Sequence, residues 1–190
     1  IALISENNPH WVAAYFGIMK TGSIVVPVLT DFSKDEMIGI LEHSEAKILF
    51  VSHKQLAKIG NKIPASIQFI ATIEDMQMHP ASEIDQLIEK PVTEIKKLKS
   101  TEKCTKEAKL SSIDKDDLAV IIYTSGTTGN SKGVMLSHDN LIFDAVNTGS
   151  IHQVIESDVF LSVLPLAHTY ESTIGMIIPL LNGATIHYID

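Results

Sequence analysis

Apolar residues along the first 73 positions form short continuous runs, separated by segments in which they recur at helical spacing. A short apolar run between turn residues is typical of a buried strand, whereas recurrence at every third or fourth position is typical of a helix. Such alternation predicts an α/β fold, with layered helices on a largely parallel sheet. Strands are predicted at residues 1–5, 24–29, 47–51 and 67–71, and helices at 9–21, at 34–44 and after the third strand to about residue 59.

The first two predicted helices carry residues that commonly begin and end helices. Asn8 is suited to cap the first helix, Pro9 fits its first turn, and Gly22 lies where a C-terminal glycine belongs. Ser33 is suited to cap the second helix in the same way. These residues set the predicted boundaries.

Residues 74–117 interrupt this rhythm, because the segment is polar, rich in lysine and glutamate, and apolar only at scattered positions. We expect a solvated excursion from the fold, with room for one helix near 83–89. A basic surface that contacts anionic lipid or a partner is the alternative, and the acidic residues among the lysines weigh against it.

The alternation resumes at residue 118. Ser137 can cap a following helix, although Asn140 stands three residues on, where a capping box has Glu or Gln. Gly183 is placed to close a second, mostly buried helix. Strands are predicted at 118–123, 134–136, 159–163 and 185–189, and helices at 138–150 and 169–181.

Composition narrows the class of protein. No apolar run approaches the roughly 20 residues that span a bilayer, and no secretory signal is visible at the start. Cys104 is the single cysteine, which excludes an internal disulfide framework and fits a reducing, cytoplasmic setting. A net charge of −8 disfavours nonspecific binding of nucleic acid. Both ends lie in strand-like runs, so we expect residues 1–190 to be part of a longer chain.

The distribution of positive charge is more informative than its sum. All 15 basic residues are lysines, and seven of them lie between Lys90 and Lys109. From Asp116 to Asp190 the only basic residue is Lys132. An anion bound by this part of the chain must therefore be met by Lys132, by backbone N–H groups and by hydroxyls.

The run from Tyr123 to Gly133 combines all three kinds of group. It holds three glycines, five Ser or Thr hydroxyls and Lys132. Glycines let several backbone N–H groups converge on one anion, and hydroxyl oxygens can also ligate Mg²⁺. The run follows a predicted buried strand, where α/β folds place ligand loops. It therefore predicts a site for the triphosphate of ATP.

Two other phosphate motifs fail on spacing. A Walker loop needs Gly-Lys-Ser/Thr five residues after its first glycine, but Ser131 stands at that position and Gly133 follows Lys132. The dinucleotide motif needs a second glycine two residues after Gly126, where Thr128 stands instead. A flexible polar linker is the remaining alternative, and linkers rarely place the sole cation of a stretch among glycines between two apolar strands.

The run resembles the phosphate-binding signature of the adenylate-forming superfamily, which includes acyl-CoA synthetases, luciferases and the adenylation domains of peptide synthetases. That signature is an aromatic residue followed by Thr-Ser/Thr-Gly-Ser/Thr-Thr-Gly-x-x-Lys-Gly, and residues 123–133 meet every defined position. Residues 13–27 resemble the family's early helix and strand. Residues 164–171 resemble the segment downstream of the loop, most closely its long-chain fatty acyl branch.

The resemblance implies activation of a carboxylic acid by ATP to an acyl-adenylate, followed by transfer to a thiol, commonly that of coenzyme A. It implies that Thr124 ligates Mg²⁺. His168 would lie near the acyl carboxylate and the α-phosphate, Tyr170 would shape the acyl entrance, and Glu171 would belong to the site. On its own, a histidine beside Pro165 is more typical of an ordinary loop. The residues implied to hold the β- and γ-phosphates are Thr124, Ser125, Gly126, Thr127, Thr128, Gly129 and Lys132.

The resemblance also implies that residues 1–190 form part of a large N-terminal AMP-binding domain, without the family's C-terminal domain. We therefore expect the isolated chain to be inactive, to bind ATP weakly and to self-associate through uncovered apolar surface. Expected partners are ATP, a fatty acid and coenzyme A, with no nucleic acid. The expected location is cytoplasmic, and peripheral contact with the inner membrane face is left open. The alternatives are another acid, a carrier-protein acceptor and a non-enzymatic nucleotide-binding domain.

Overall fold

The computed structural model describes residues 1–89, 112–124, 132–151 and 153–189. Its strands are β1 Ala2–Ile4, β2 Val26–Pro27, β3 Ile48–Val51, β4 Phe69–Thr72, β5 Met78–Pro80, β6 Leu118–Thr124, β7 Lys132–Ser137, β8 Val159–Ser162 and β9 Thr185–Tyr188. Its helices are α1 Pro9–Lys20, α2 Lys34–His43, α3 His53–Ile59, α4 Ile84–Glu89, α5 His138–Ile151 and α6 Ile178–Leu181. A 3₁₀ turn at Ala81–Glu83 precedes α4, and a π-helical segment at Glu171–Ile177 precedes α6.

The main sheet has the order β2-β1-β3-β4-β5. Its first four strands are parallel, and β5 pairs antiparallel with β4. Strand β6 joins the β2 side through Val25, whose N–H donates to Ala119 O at 2.9 Å and whose carbonyl accepts from Ile121 N at 2.9 Å. This bridge is parallel, so β6 runs in the direction of β1. The prediction of an α/β fold on a largely parallel sheet is confirmed.

Two further strand pairs complete the described structure. Strands β6 and β7 form an antiparallel hairpin, whereas β8 and β9 pair in parallel. The sequence predicts all four strands, but periodicity alone does not say which strand pairs with which. The pairing matters here because the hairpin holds together the two ends of the predicted phosphate loop.

The predicted helix caps are confirmed. The Asn8 Oδ1 accepts from Trp11 N at 2.9 Å, and Ser33 forms a reciprocal capping box with Glu36. Ser137 and Asn140 make the same reciprocal pair, with Asn140 Oδ1 accepting from Ser137 N at 3.0 Å. Asn can replace Glu here because its side-chain oxygen also reaches the backbone N–H of the capping residue.

The apolar core lies on both faces of the sheet. Successive residues of β1 point to opposite faces, so Ile4 packs with α2 and α3 while Leu3 packs with α1. On the α1 side, Trp11 stacks on Tyr15 with ring centroids 5.1 Å apart. Both rings are buried, and this packing fixes α1 against the strand that leads to the site.

Residues 74–89 belong to the fold, although the sequence predicts a solvated excursion from residue 74. Strand β5 extends the main sheet, and α4 buries Ile84 and Leu87, which are three residues apart on one helical face. The helix predicted near 83–89 is confirmed. The excursion's residues 90–111 lie outside the described part of the chain.

Candidate active site

The β6–β7 hairpin brings Thr124 and Lys132 together. They are register partners at the loop end of the hairpin, and both side chains are exposed. Partners in such a ladder have their Cα atoms roughly 5 Å apart. The structure therefore joins two of the predicted site residues, while the other five lie outside its described residues: Ser125, Gly126, Thr127, Thr128 and Gly129.

The hairpin is tightly packed around Gly133, the residue next to Lys132. A Cβ at this position would lie 2.9 Å from Ile121 Cγ2 and 3.4 Å from Tyr123 Cζ. Tyr123 is the register partner of Gly133, and its ring is buried. Gly133 is needed here because any side chain would displace the strand that carries Lys132.

Tyr123 is held from outside the hairpin by His43, the last residue of α2. The phenol oxygen lies 2.7 Å from His43 Nδ1, and the two rings meet edge to face at 5.7 Å. Burial raises the pKa of the Tyr123 phenol, so it stays protonated and can donate to a neutral imidazole. Sequence reasoning missed His43, because 80 residues separate it from its partner.

Glu171 is buried, whereas the three residues before it, 168–170, are exposed. Its Oε1 accepts a hydrogen bond of 2.6 Å from Ser162 Oγ, which closes residues 162–171 into a loop. Gly175 makes room for the carboxylate, since a Cβ there would lie 2.5 Å from Glu171 Cδ. Burial, and then the negative charge of Glu171, raise the pKa of Tyr188.

His168 and Tyr170 project from this loop into solvent. The Tyr170 N–H donates to His168 Nδ1 at 3.2 Å, so in the neutral ring the hydrogen resides on Nε2. The backbone of His168 donates to Pro165 O and accepts from Ser172 N. Among the described residues Nε2–H has no partner, so it can donate outward.

The amide of Asn7 joins the same loop to the main sheet. Its Nδ2 donates to Ser162 Oγ at 2.9 Å and to Leu164 O at 2.6 Å, and its Oδ1 accepts from Leu166 N at 2.8 Å. Asn7 follows β1, 155 residues before Ser162, and a lone asparagine carries no sequence signal for such a contact.

The two parts of the site open at one edge of the sheet. Strands β1 and β6 run in the same direction, so Asn7 and Thr124 both lie at carboxyl ends. Ser162 ends β8 and contacts Asn7 there, beside a cavity of about 310 Å³ lined in part by Glu6 and Thr30. Open α/β sheets bind ligands at this edge.

The charged groups at the site favour binding of an anion, such as a phosphate, whose own oxygens can also ligate a metal ion. Lys132 has no acidic partner within salt-bridge distance among the described residues. Within that part of the chain, no cluster of three His, Cys, Asp or Glu residues could hold a metal ion. The Thr124 hydroxyl can supply one oxygen to Mg²⁺, which typically takes further ligands from phosphates and water. No described helix is long and apolar enough to cross a membrane.

Comparison with known proteins gives one family. The pattern of the AMP-binding enzyme family matches residues 1–190. The chain is 33% identical over 183 residues to the chloroplastic long-chain-fatty-acid–[acyl-carrier-protein] ligase AEE15 of Arabidopsis thaliana, covering 90% of this chain and 25% of that protein. It is 30% identical over 199 residues to long-chain-fatty-acid–CoA ligase 1 of Cavia porcellus, covering 99% of this chain and 28% of that protein.

The fold is shared with a solved structure of similar architecture. ATP-bound MatB from Rhodopseudomonas palustris superposes with a TM-score of 0.69 at 22% identity, covering 100% of this chain and 34% of that one. The chain thus spans about a quarter of the curated relatives described here and about a third of this structure.

Proposed function

The chain belongs to the family of AMP-binding enzymes, and from this premise we propose that the full-length protein is an ATP-dependent ligase that joins a long-chain fatty acid to coenzyme A. The observation that carries the proposal is the pairing of Thr124 with Lys132 across a loop that meets every defined position of the family signature. Its place at the carboxyl edge of a parallel sheet supports the same assignment.

The proposed reaction has two steps. A carboxylate oxygen of the acid attacks the α-phosphorus of ATP, a new acyl O–P bond forms, and the bond to the β-phosphate oxygen breaks. Pyrophosphate leaves with that electron pair, and the acyl-adenylate remains. The sulfur of a thiol then attacks the acyl carbon, the thiol proton is lost, and AMP leaves with the electrons of the acyl C–O bond.

In this proposal the hairpin manages the charge of the leaving group. Lys132 offsets the negative charge that builds on pyrophosphate, and the hydroxyls and N–H groups of residues 124–131 bind the β- and γ-phosphates. Thr124 Oγ1 fits as one ligand of Mg²⁺, because it is an exposed oxygen at the mouth of the loop. When bound, that ion would lower the electrostatic cost of bringing a carboxylate to the triphosphate.

His168 is assigned to the acid. Its Nε2–H faces solvent and can donate to the carboxylate or to an α-phosphate oxygen. Tyr170, 55% exposed beside it, is suited to shape the acyl entrance. We assign Glu171 to holding the loop closed through Ser162, because its buried carboxylate is turned away from solvent.

Two observations favour a long-chain acid as the substrate, and they leave two candidates for the thiol that accepts the acyl group. Residues 164–171 resemble the long-chain branch of the family, and both curated relatives described above are named for long-chain fatty acids. One of those names gives coenzyme A as acceptor and the other an acyl carrier protein. The carrier protein is therefore the second candidate.

Acid-dependent exchange of pyrophosphate into ATP tests the first step. We expect the protein from its complete reading frame to exchange with palmitate and not with acetate or an amino-acid mixture. Thioester formation with coenzyme A, against an acyl carrier protein, then decides the acceptor. Exchange only with another acid would discard the long-chain assignment, and no exchange with any acid would favour a non-enzymatic nucleotide-binding domain. The isolated 190 residues are expected to form no AMP.

A further inference from the structure

We propose that Asn7 is a positioning residue for acid activation, because its side-chain amide fastens the loop that carries His168 to the carboxyl end of β1. The inference rests on the proposed function. It assigns Asn7 no contact with the substrate. Its role is exerted through the residues between Ser162 and Glu171.

Asn7 is itself firmly placed. It follows β1, an interior strand of the main sheet, and it precedes Asn8, which caps α1. Packing of Trp11 against the sheet fixes the first turn of that helix. Asn7 therefore presents its amide from a rigid corner between a strand and a helix, as positioning groups require.

The amide uses both of its hydrogens and its oxygen on one segment. The hydrogens go to Ser162 Oγ and Leu164 O, and the oxygen accepts from Leu166 N. The reverse orientation would set the amide oxygen against a carbonyl and the NH₂ group against an N–H, so the contacts fix the orientation. The amide thus binds three points within five residues, on strand β8 and just beyond it.

The contact continues to the other end of the loop. Ser162 Oγ accepts from Asn7 and donates its single hydrogen to the buried carboxylate of Glu171. A chain of hydrogen bonds with one direction therefore runs from Asn7 through Ser162 to Glu171, and it spans both ends of the segment that holds His168.

His168 depends on these contacts because little else fixes it. Its side chain is exposed, and within the described part of the chain its ring accepts a hydrogen bond only from the N–H of Tyr170, a residue of the same loop. A shift of the loop would move Nε2 relative to a bound carboxylate without unfolding the sheet. Displacement of a positioning group by about 1 Å can cost about a hundredfold in rate.

Asn7→Asp in the full-length protein removes the two N–H donors of the side chain and keeps its acceptor oxygen. Aspartate keeps the acceptor for Leu166 N, but it offers no hydrogen to Ser162 or Leu164 and competes with Glu171 for the single Ser162 hydrogen. We expect kcat/KM for the acid in ATP–pyrophosphate exchange to fall by about tenfold or more, with the KM for ATP changed by less than about twofold. Asn8→Asp is the matched control, because it also loses two side-chain donor contacts, to Ser5 Oγ and Glu6 O, but keeps the cap of α1 and involves no residue of the 162–171 loop.

A double-mutant cycle separates positioning from general damage. In a His168→Ala background the Asn7→Asp effect should largely disappear, because the group that Asn7 positions is already gone. An equal loss in both backgrounds, a rise in the KM for ATP of the same size, or full activity of Asn7→Asp would overturn the proposal.

Hydrogen exchange reads the contact without any activity. Asn7→Ala leaves Leu166 N–H without its acceptor, so peptides covering 162–171 should take up deuterium faster while peptides covering β6 stay unchanged. Unchanged uptake at 162–171 would also overturn the proposal. If the unsubstituted protein shows no ATP–pyrophosphate exchange with any acid, the proposed function fails. The deuterium uptake at residues 162–171 still shows whether Asn7 holds the loop.

Discussion

The pKa of Glu6, just after the carboxyl end of β1, is lowered by its hydrogen-bond partners. Burial alone would raise the pKa of Glu6, but hydrogen bonds from Gln55 Nε2 and Ser52 Oγ outweigh it and hold that pKa below its ordinary value of 4.5. Lys54 contributes in the same direction, with its ammonium 3.4 Å from Glu6 Oε1. The folded state therefore favours the charged carboxylate.

This shift predicts the sign of a pH dependence. Because the folded pKa of Glu6 is the lower one, its contribution to stability is present above about pH 4.5 and is lost as pH falls through the folded pKa. We expect the difference in unfolding midpoint between the parent and Glu6→Gln to narrow from pH 7 toward pH 3. A difference that stays constant would contradict this. Glu42→Gln, at an exposed site on α2, controls for loss of one charge.

Residues of the site were predictable from the sequence only where they are contiguous. Thr124 and Lys132 belong to one run of glycines, hydroxyls and a lysine, whose chemistry is readable without a fold. His43 and Asn7 act through contacts that span 80 and more than 150 residues, so only the folded structure brings them to the site. The functional roles of all the candidate residues stay predictions: Thr124, Ser125, Gly126, Thr127, Thr128, Gly129, Lys132, His168, Tyr170 and Glu171.

Among the secondary-structure elements, the β6–β7 hairpin depends most closely on one residue. In Gly133→Ala the added Cβ would clash with Ile121 and the Tyr123 ring, so we expect a loss of about 1–3 kcal/mol in unfolding free energy. Gly39→Ala is the matched control. A Cβ at this helical position of α2 would meet no other atom within contact distance, so alanine should raise the unfolding free energy by up to about 1 kcal/mol. Thermal unfolding of both variants checks the contrast. Equal changes in stability for the two variants would show that the close packing around Gly133 does not require glycine there.

Elements were predictable where local signals are strong. The caps and apolar faces of α1, α2 and α5 gave their starts correctly. The helix predicted at 169–181 is instead π-helical over residues 171–177, with Ile178 N–H bonded to Thr173 O. Pro179 has no N–H for the carbonyl four residues before it, and the Glu171 carboxylate occupies the space that a Cβ at position 175 would take. Apolar periodicity does not report either constraint.

At the scale of the whole molecule, the described residues expose apolar side chains on two elements. On α5, Ile142, Phe143 and Val146 are 57%, 68% and 59% exposed, and Val159 and Leu161 of β8 are 66% and 61% exposed. An apolar groove of about 500 Å³ lies between α1 and α5. Ile142 and Val146 line this groove, and exposed apolar side chains on this scale mark a contact surface.

We expect the isolated 190-residue chain to self-associate through this surface. Sedimentation equilibrium should show a mass that rises with concentration above 20.8 kDa. Phe143→Ser with Val146→Ser should reduce the association, whereas Phe69→Ser, 41% exposed on β4, should not. A monomer at every concentration would contradict the expectation.

The central claim is that the hairpin holding Lys132 serves acid-dependent adenylation. The most direct test is palmitate-dependent ATP–pyrophosphate exchange by the full-length protein, with Lys132→Ala compared against Lys115→Ala, an exposed lysine just before β6. We expect Lys132→Ala to lower exchange by about tenfold or more, because it removes the charge that offsets the leaving group, and Lys115→Ala to match the parent. Equal exchange by the parent and Lys132→Ala would contradict the claim.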